Sequence, residues 1–305
     1  MRSLENAQGS GPCGLEPSWV QIPPPASDEM QSFYVKDFEL QKTIESGQIF
    51  HYKKVDNDTY LVATGKKALL VKQKGKKLYF SGASKEEIKN VFGLNDDLNK
   101  IYKEITKNGK DKILIDAIKK FFGTRIMQQD PFECLISYIL SINSNIPRIK
   151  KNVEDLCAKY GEEVRINSYS INLFPSFERL KDVSLEELEK LRFGFRAKFI
   201  KQTISLLPKI DLYSLQNKNF EEAKKELISL PGVGEKVAEC VLLYSFKKIE
   251  AFPVDIWMKR IMSKYYLKKE ATIKEIREFA KNYFGKYAGY AQLYLFLYAR
   301  EMKIK

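Results

Sequence analysis

Histidine is almost missing from this chain: 305 residues hold a single one, His51. That leaves little scope for histidine-based metal binding or acid–base catalysis. Cysteine is sparse as well. Cys13, Cys134, Cys157 and Cys240 stand far apart, without the spacing of a metal site. Such scatter argues for a reducing compartment and against a disulfide framework. No apolar run approaches membrane-spanning length, and no basic stretch leads into an apolar secretory segment. A soluble, intracellular protein is expected, in the cytoplasm or nucleoid of a bacterium or the nucleus of a eukaryote, with no membrane partner. Acidic residues are in deficit, 39 against 52 lysines and arginines, for a net charge of +13.

The charge is unevenly spread. Residues 1–29 set Arg2 against Glu5, Glu16, Asp28 and Glu29, a net of −3, so the remainder carries +16. This stretch also holds five of the eleven prolines and no lysine. It reads as an expression leader or a disordered extension, with Met30 as the native start. The basic body favours a polyanion, with DNA or RNA the usual partner, although lysines also simply solvate surfaces. Hydrophobic residues at 44% and aromatics at 12% suit a globular chain.

Between Phe33 and Phe80 short apolar runs alternate with turn signals at Asp56-Asn57-Asp58, Gly65-Lys66 and Gly75-Lys76. They predict an antiparallel meander in a sheet-containing domain over residues 30–115. From Lys85 onward the patterns are helical, and residues 116–305 read as a mainly helical body. The fold class is α+β, an antiparallel sheet domain packed on helices.

The chain is organised around Leu230-Pro231-Gly232-Val233-Gly234-Glu235-Lys236. Pro231, Gly232 and Gly234 make a tight turn between helical patterns at 220–229 and 235–246. Amides exposed at the second helix's N-terminus form a natural phosphate seat. Lys236 falls in the first turn, at the positive end of the helix dipole, an unfavourable place for an ammonium and a favourable one for a nucleophilic amine. Nineteen residues on, Asp255 follows Pro253-Val254 as the predicted N-cap of the next helix, its carboxylate favoured in the charged form by helix amides. Separately, these could be a surface lysine, a capping aspartate and an ordinary helix–helix turn. Together they suggest chemistry on a nucleic acid.

Other stretches carry further candidates. Ser46-Gly47-Gln48-Ile49-Phe50 places a glycine before a predicted strand. Pro131 opens a helix over 132–141, which ends in Ile142-Asn143-Ser144-Asn145-Ile146-Pro147-Arg148. Capping and turn formation would account for the asparagines. Phe193-Gly194-Phe195-Arg196-Ala197 breaks one helix and restarts another, and Phe195 could equally be core. Cys240, one turn from Lys236, can line the same pocket or serve as a buried structural thiol. In the final helix Gln292 and Phe296 share one face at i, i+4.

These segments, from about Phe38 to the C-terminus, resemble the 8-oxoguanine DNA glycosylase family of the helix-hairpin-helix glycosylase superfamily. The resemblance implies a bifunctional DNA glycosylase/AP lyase acting on 8-oxoguanine in duplex DNA, with Lys236 as nucleophile and Asp255 assisting. It implies a lesion pocket from Gly47, Cys240, Pro253, Asp255, Gln292 and Phe296, with the Gly47 carbonyl reading the N7–H that guanine lacks. It assigns DNA and opposite-base contacts to Asn143, Arg148, Phe195, Arg196, Gly232 and Gly234. Phe195 stands where the family has tyrosine and Trp257 where its eukaryotic members have a phosphate-contacting histidine, departures that bear on opposite-base checking and on one phosphate contact. Lacking cysteines beyond Cys240, the chain cannot form the iron–sulfur cluster of some superfamily relatives. No metal or other cofactor is required; a monovalent cation on the hairpin's backbone carbonyls is an implication that spacing does not reveal. The protein is expected to act as a monomer. The alternatives are a superfamily glycosylase for another damaged base, such as an alkylated purine, or a non-catalytic DNA-binding module.

Overall fold

The computed structural model describes residues 30–304. Cys13 and the leader expected over 1–29 lie outside the described residues.

Five strands form an antiparallel sheet in the order β1-β5-β4-β3-β2: β1 (Gln31–Tyr34), β2 (Tyr52–Asp56), β3 (Thr59–Thr64), β4 (Lys67–Lys74) and β5 (Lys77–Ser81). The turn signals stand where two-residue loops join β2 to β3, β3 to β4 and β4 to β5; Gly65 and Gly75 take the positive φ that such loops demand. A short helix, α1 (Leu40–Ile44), precedes β2, so Gly47 lies in the loop between them and not in a strand.

β3 is buried almost throughout, which the alternating pattern does not explain. The sheet is covered on both sides. Tyr60, Val62, Leu69, Val71 and Phe80 pack with Ile44 of α1, Ile88 of α2 (Lys85–Val91) and Phe92. Leu61, Ala63, Ala68 and Leu70 pack against Ile166 and Ile171. Those two belong to a hairpin, β6 (Glu163–Ile166) and β7 (Tyr169–Asn172), that the helical body sends over the sheet. The reading of everything beyond Lys85 as helical is corrected here: Asn167, at φ +51, turns four-residue strands too short to announce themselves by periodicity.

The body comprises α3 (Leu98–Ile105), α4 (Lys112–Phe121), α5 (Pro131–Leu140), α6 (Ile146–Tyr160), α7 (Phe177–Leu180), α8 (Leu185–Lys190), α9 (Arg196–Leu206), α10 (Phe220–Ile228), α11 (Glu235–Phe246), α12 (Ile256–Ile261), α13 (Ile273–Phe284) and α14 (Ala288–Glu301). Sequence-predicted boundaries hold within a residue at α5, α10 and α11 because local signals set them. Asp130 caps α5 with Pro131 in its first turn, Ser184 and Glu187 form a capping box on α8, and Asn219 caps α10. α11 and α14 are buried on nearly all sides, α11 against α5 and α14 against α4 and α12. One continuous apolar core runs through these helices and fixes α5, α11 and α14 relative to one another. No helix among the described residues is long and apolar enough to cross a membrane.

Candidate active site

The hairpin from α10 to α11 is held from below. Thr203 of α9 donates through Oγ1 to the Pro231 carbonyl at 2.8 Å, and Val233 N–H reaches the Leu230 carbonyl at 3.0 Å. Gly232 takes φ +77°, and a Cβ there would stand 2.8 Å from Phe199 side-chain atoms, so both conformation and space select glycine. Gly234 caps α11 without a side chain and faces open space.

α11 presents Lys236 half-buried at the floor of a cleft of about 980 Å³. Its Nζ donates to Ser141 Oγ at 3.1 Å and lies 5.0 Å from the centroid of the Tyr138 ring. Ser141 is itself fixed, its hydroxyl donating to the Tyr138 carbonyl at 2.6 Å. The amine is thus aimed by one hydrogen bond and one aromatic face while its stem is packed.

Asp255 lines the same cleft and caps α12, with Oδ1 accepting from Met258 N–H at 2.8 Å. The expectation that helix amides would dominate its ionisation is corrected. Burial is the largest influence and pushes the carboxyl above the ordinary 3.8, against the Met258 and Trp257 amides and the positive charges of Lys236 and Arg300. Burial likewise pushes the Cys240 thiol up to about 12, so this cleft wall is neutral at physiological pH.

Gly47, Pro253, Gln292 and Phe296 also line the cleft, so every residue of the expected base pocket faces one space. Gly47 takes φ +91°, and a Cβ there would come within 2.5 Å of Ile146 Cδ1. Gln48 locks the loop to the body. Its side chain reaches the Thr43 and Arg125 carbonyls and the Met127 amide, while its own carbonyl accepts from Tyr138 Oη at 3.0 Å and Gln129 Nε2 at 2.9 Å. The Ser46 carbonyl accepts from Arg300 at 3.1 Å. Between these two engaged carbonyls, that of Gly47 takes no donor among the described residues. Gln292 is 5% exposed, and its Oε1 has no partner among the described residues either. Two unpaired acceptors in one cleft are costly unless a ligand supplies donors.

At the rim, Asn143 is exposed with φ +46°, and Asn145 caps α6 by accepting from Arg148 N–H at 3.0 Å, leaving the Arg148 side chain exposed. Phe195 is 51% exposed and rests edge-on against Phe199, which excludes the core reading. Arg196 departs from the expected DNA-facing placement: it is buried, and its guanidinium donates to the Ile142, Asn143 and Phe193 carbonyls. It braces the loop that carries Asn143. Sequence reading missed Ser141, Gln48 and Arg300. Arg300 had a signal, since Gln292, Phe296 and Arg300 recur every fourth residue on one helix face.

Comparison with known proteins follows the same division. Residues 136–286 match the HhH-GPD superfamily of base excision DNA repair proteins, which sets the class. Residues 32–135 match the N-terminal domain of 8-oxoguanine DNA glycosylase. The N-glycosylase/DNA lyase OGG1 of Arabidopsis thaliana is 32% identical over 284 residues, 86% of this chain and 77% of that protein. The probable N-glycosylase/DNA lyase of Methanothermobacter thermautotrophicus is 34% identical over 237 residues, 71% and 75% of the two chains. The crystal structure of Clostridium acetobutylicum 8-oxoguanine glycosylase/lyase, in complex with DNA containing cytosine opposite 8-oxoguanine, superposes with a TM-score of 0.83 at 32% identity, covering 91% of this chain and all of that one. The chain belongs to the 8-oxoguanine DNA glycosylase family.

Proposed function

We propose that the protein is a bifunctional DNA glycosylase/AP lyase that removes 8-oxoguanine from double-stranded DNA, acting as a monomer within the cell. The observation that carries this reading is the Lys236 amine opening into the same cleft as Asp255, Gly47, Gln292 and Phe296. Relatives named N-glycosylase/DNA lyase support it.

An extruded nucleotide places its base between the Phe296 face and the Cys240 wall. The Gly47 carbonyl accepts from N7–H of 8-oxoguanine; guanine would set a lone pair against it, at a cost of about 1–3 kcal/mol. The Lys236 nitrogen forms a bond to C1′ as the bond from C1′ to the base breaks, and the base leaves with the electron pair. The Asp255 carboxylate stabilises positive charge developing on the sugar. Ring opening converts the adduct to a Schiff base, whose electron withdrawal acidifies C2′–H. Loss of that proton expels the 3′ phosphate and nicks the strand. Outside the pocket, Asn143 enters the gap that the base has left and, with Arg148, meets the opposite base, Phe195 wedges between bases, and Gly232 and Gly234 seat phosphate. Arg196 acts through the Asn143 loop.

No cofactor enters these steps. Among the hairpin carbonyls, those of Leu230 and Pro231 are engaged internally, which leaves Gly232 and Val233 to hold a monovalent cation, whose charge would draw phosphate toward the turn.

Purified protein should release free 8-oxoguanine and nick the strand when the lesion lies opposite cytosine, and leave guanine and 3-methyladenine duplexes intact. Phe195→Tyr should sharpen the preference for opposite cytosine. Release without nicking, or excision of 3-methyladenine in preference to 8-oxoguanine, would refute the assignment.

A further inference from the structure

Arg300 sits at the C-terminal end of α14, two turns beyond Gln292 and one beyond Phe296 on the face that lines the cleft. It touches both walls of the space assigned above to the base. Its guanidinium carbon lies 5.1 Å from the centroid of the Phe296 ring, and Nη1 donates to the Ser46 carbonyl at 3.1 Å. The same Nη1 would stand 3.2 Å from a Cβ built on Gly47. The Phe296 face belongs to the helical body, whereas Ser46 and Gly47 belong to the loop between α1 and β2. Gln48 anchors that loop on its far side, and the Ser46 hydroxyl is held by the Thr43 carbonyl and Gln48 Nε2, whereas the bond from Arg300 is what ties the Ser46 carbonyl across to α14.

We propose that Arg300 is a positioning residue for lesion recognition: a strut that fixes the separation between the Phe296 face and the Gly47 carbonyl, and so the width of the slot that admits the base. This rests on the function proposed above. A planar guanidinium suits both contacts at once, stacking on a ring while donating in its own plane. A lysine supplies charge without that plane. Slot width matters because a displacement of about 1 Å in a positioned substrate can cost on the order of 100-fold in rate.

The same guanidinium acts on Asp255. The charged groups facing that carboxyl are Lys236 on α11 and Arg300 on α14, with the Met258 and Trp257 amides of α12 and the neutral Cys240 thiol beside them. Arg300 itself is faced by Asp255, Glu301 and Tyr52. Both cations favour the carboxylate form, so removing Arg300 moves the Asp255 titration to higher pH.

The test is single-turnover kinetics with wild type, Arg300→Leu and Arg300→Lys, on an 8-oxoguanine duplex and on an abasic-site duplex, across pH. On the pH plateau, Arg300→Leu should lose about tenfold or more in 8-oxoguanine excision while nicking the abasic site, where no base fills the slot, within about twofold of wild type. Its acid limb should shift to higher pH. Arg300→Lys should restore the acid limb but not the excision rate. Equal losses on both substrates, an unmoved acid limb, or full rescue of excision by lysine would overturn the strut. Wild type inert on 8-oxoguanine would instead overturn the proposed function, and the strut with it.

Discussion

Asp255 carries two roles that pull in opposite directions. As an N-cap it stabilises α12, and as a half-buried carboxylate, partly stripped of water, it resists ionisation. Its folded-state pKa is raised above the unfolded value near 3.8, so the folded protein holds the extra proton over the interval between them. Stability therefore falls as pH climbs from the ordinary aspartate range through the raised value, and remains lowered above it. Asp255→Asn keeps a capping oxygen and removes the charge. Its Tm should exceed that of wild type at pH 7, with the gap closing below about pH 4, while 8-oxoguanine excision falls by on the order of 100-fold. Calorimetry at the two pH values checks this; a variant less stable than wild type at pH 7 would contradict it. The sequence shows the cap plainly, through Pro253-Val254-Asp255 ahead of an apolar run. It does not show how deeply the carboxyl is buried, because that depends on Cys240, Gln292 and Arg300 arriving from other helices. The internal bracing by Arg196 was hidden for the same reason: the Ile142 and Asn143 carbonyls it supports lie more than fifty residues away.

Among the elements, the helix–turn–helix from α10 to α11 was the most legible, since Pro231, Gly232 and Gly234 and the Asn219 cap are local signals. Its two glycines differ in physical role and should separate on mutation. Gly232 has positive φ and no room beside Phe199, so Gly232→Ala strains the turn and should destabilise the fold by about 1–3 kcal/mol. Gly234 has ordinary φ and open space, so Gly234→Ala should fold with near-normal Tm yet bind duplex DNA more weakly, its methyl standing where phosphate approaches the α11 amides. Denaturation midpoints and DNA titrations on both variants check the pair. Unchanged DNA affinity in Gly234→Ala would sink the phosphate-seat role. The β6–β7 hairpin was the least legible element. Its short strands make sense only once the outer face of β3 and β4 needs a cover, a demand set by residues a hundred positions earlier.

At the scale of the molecule, the sheet domain and the helical body build one cleft by contributing opposite walls. Gln48 and Arg300 tie the Gly47 loop to α5 and α14, and Arg125, buried with its guanidinium donating to the Lys36, Asp37, Gly93 and Asp96 carbonyls, secures the join behind it. The net charge of +13 suits a DNA partner, but the chemistry rests on one nitrogen held by Ser141 and Tyr138. Borohydride reduction during turnover on an 8-oxoguanine duplex tests that most directly, because it freezes a Schiff base as a stable amine. Peptide mapping should place the DNA adduct on Lys236, and Lys236→Gln should bind the duplex specifically while giving no adduct. An adduct on any other residue, or one that persists in Lys236→Gln, would contradict it.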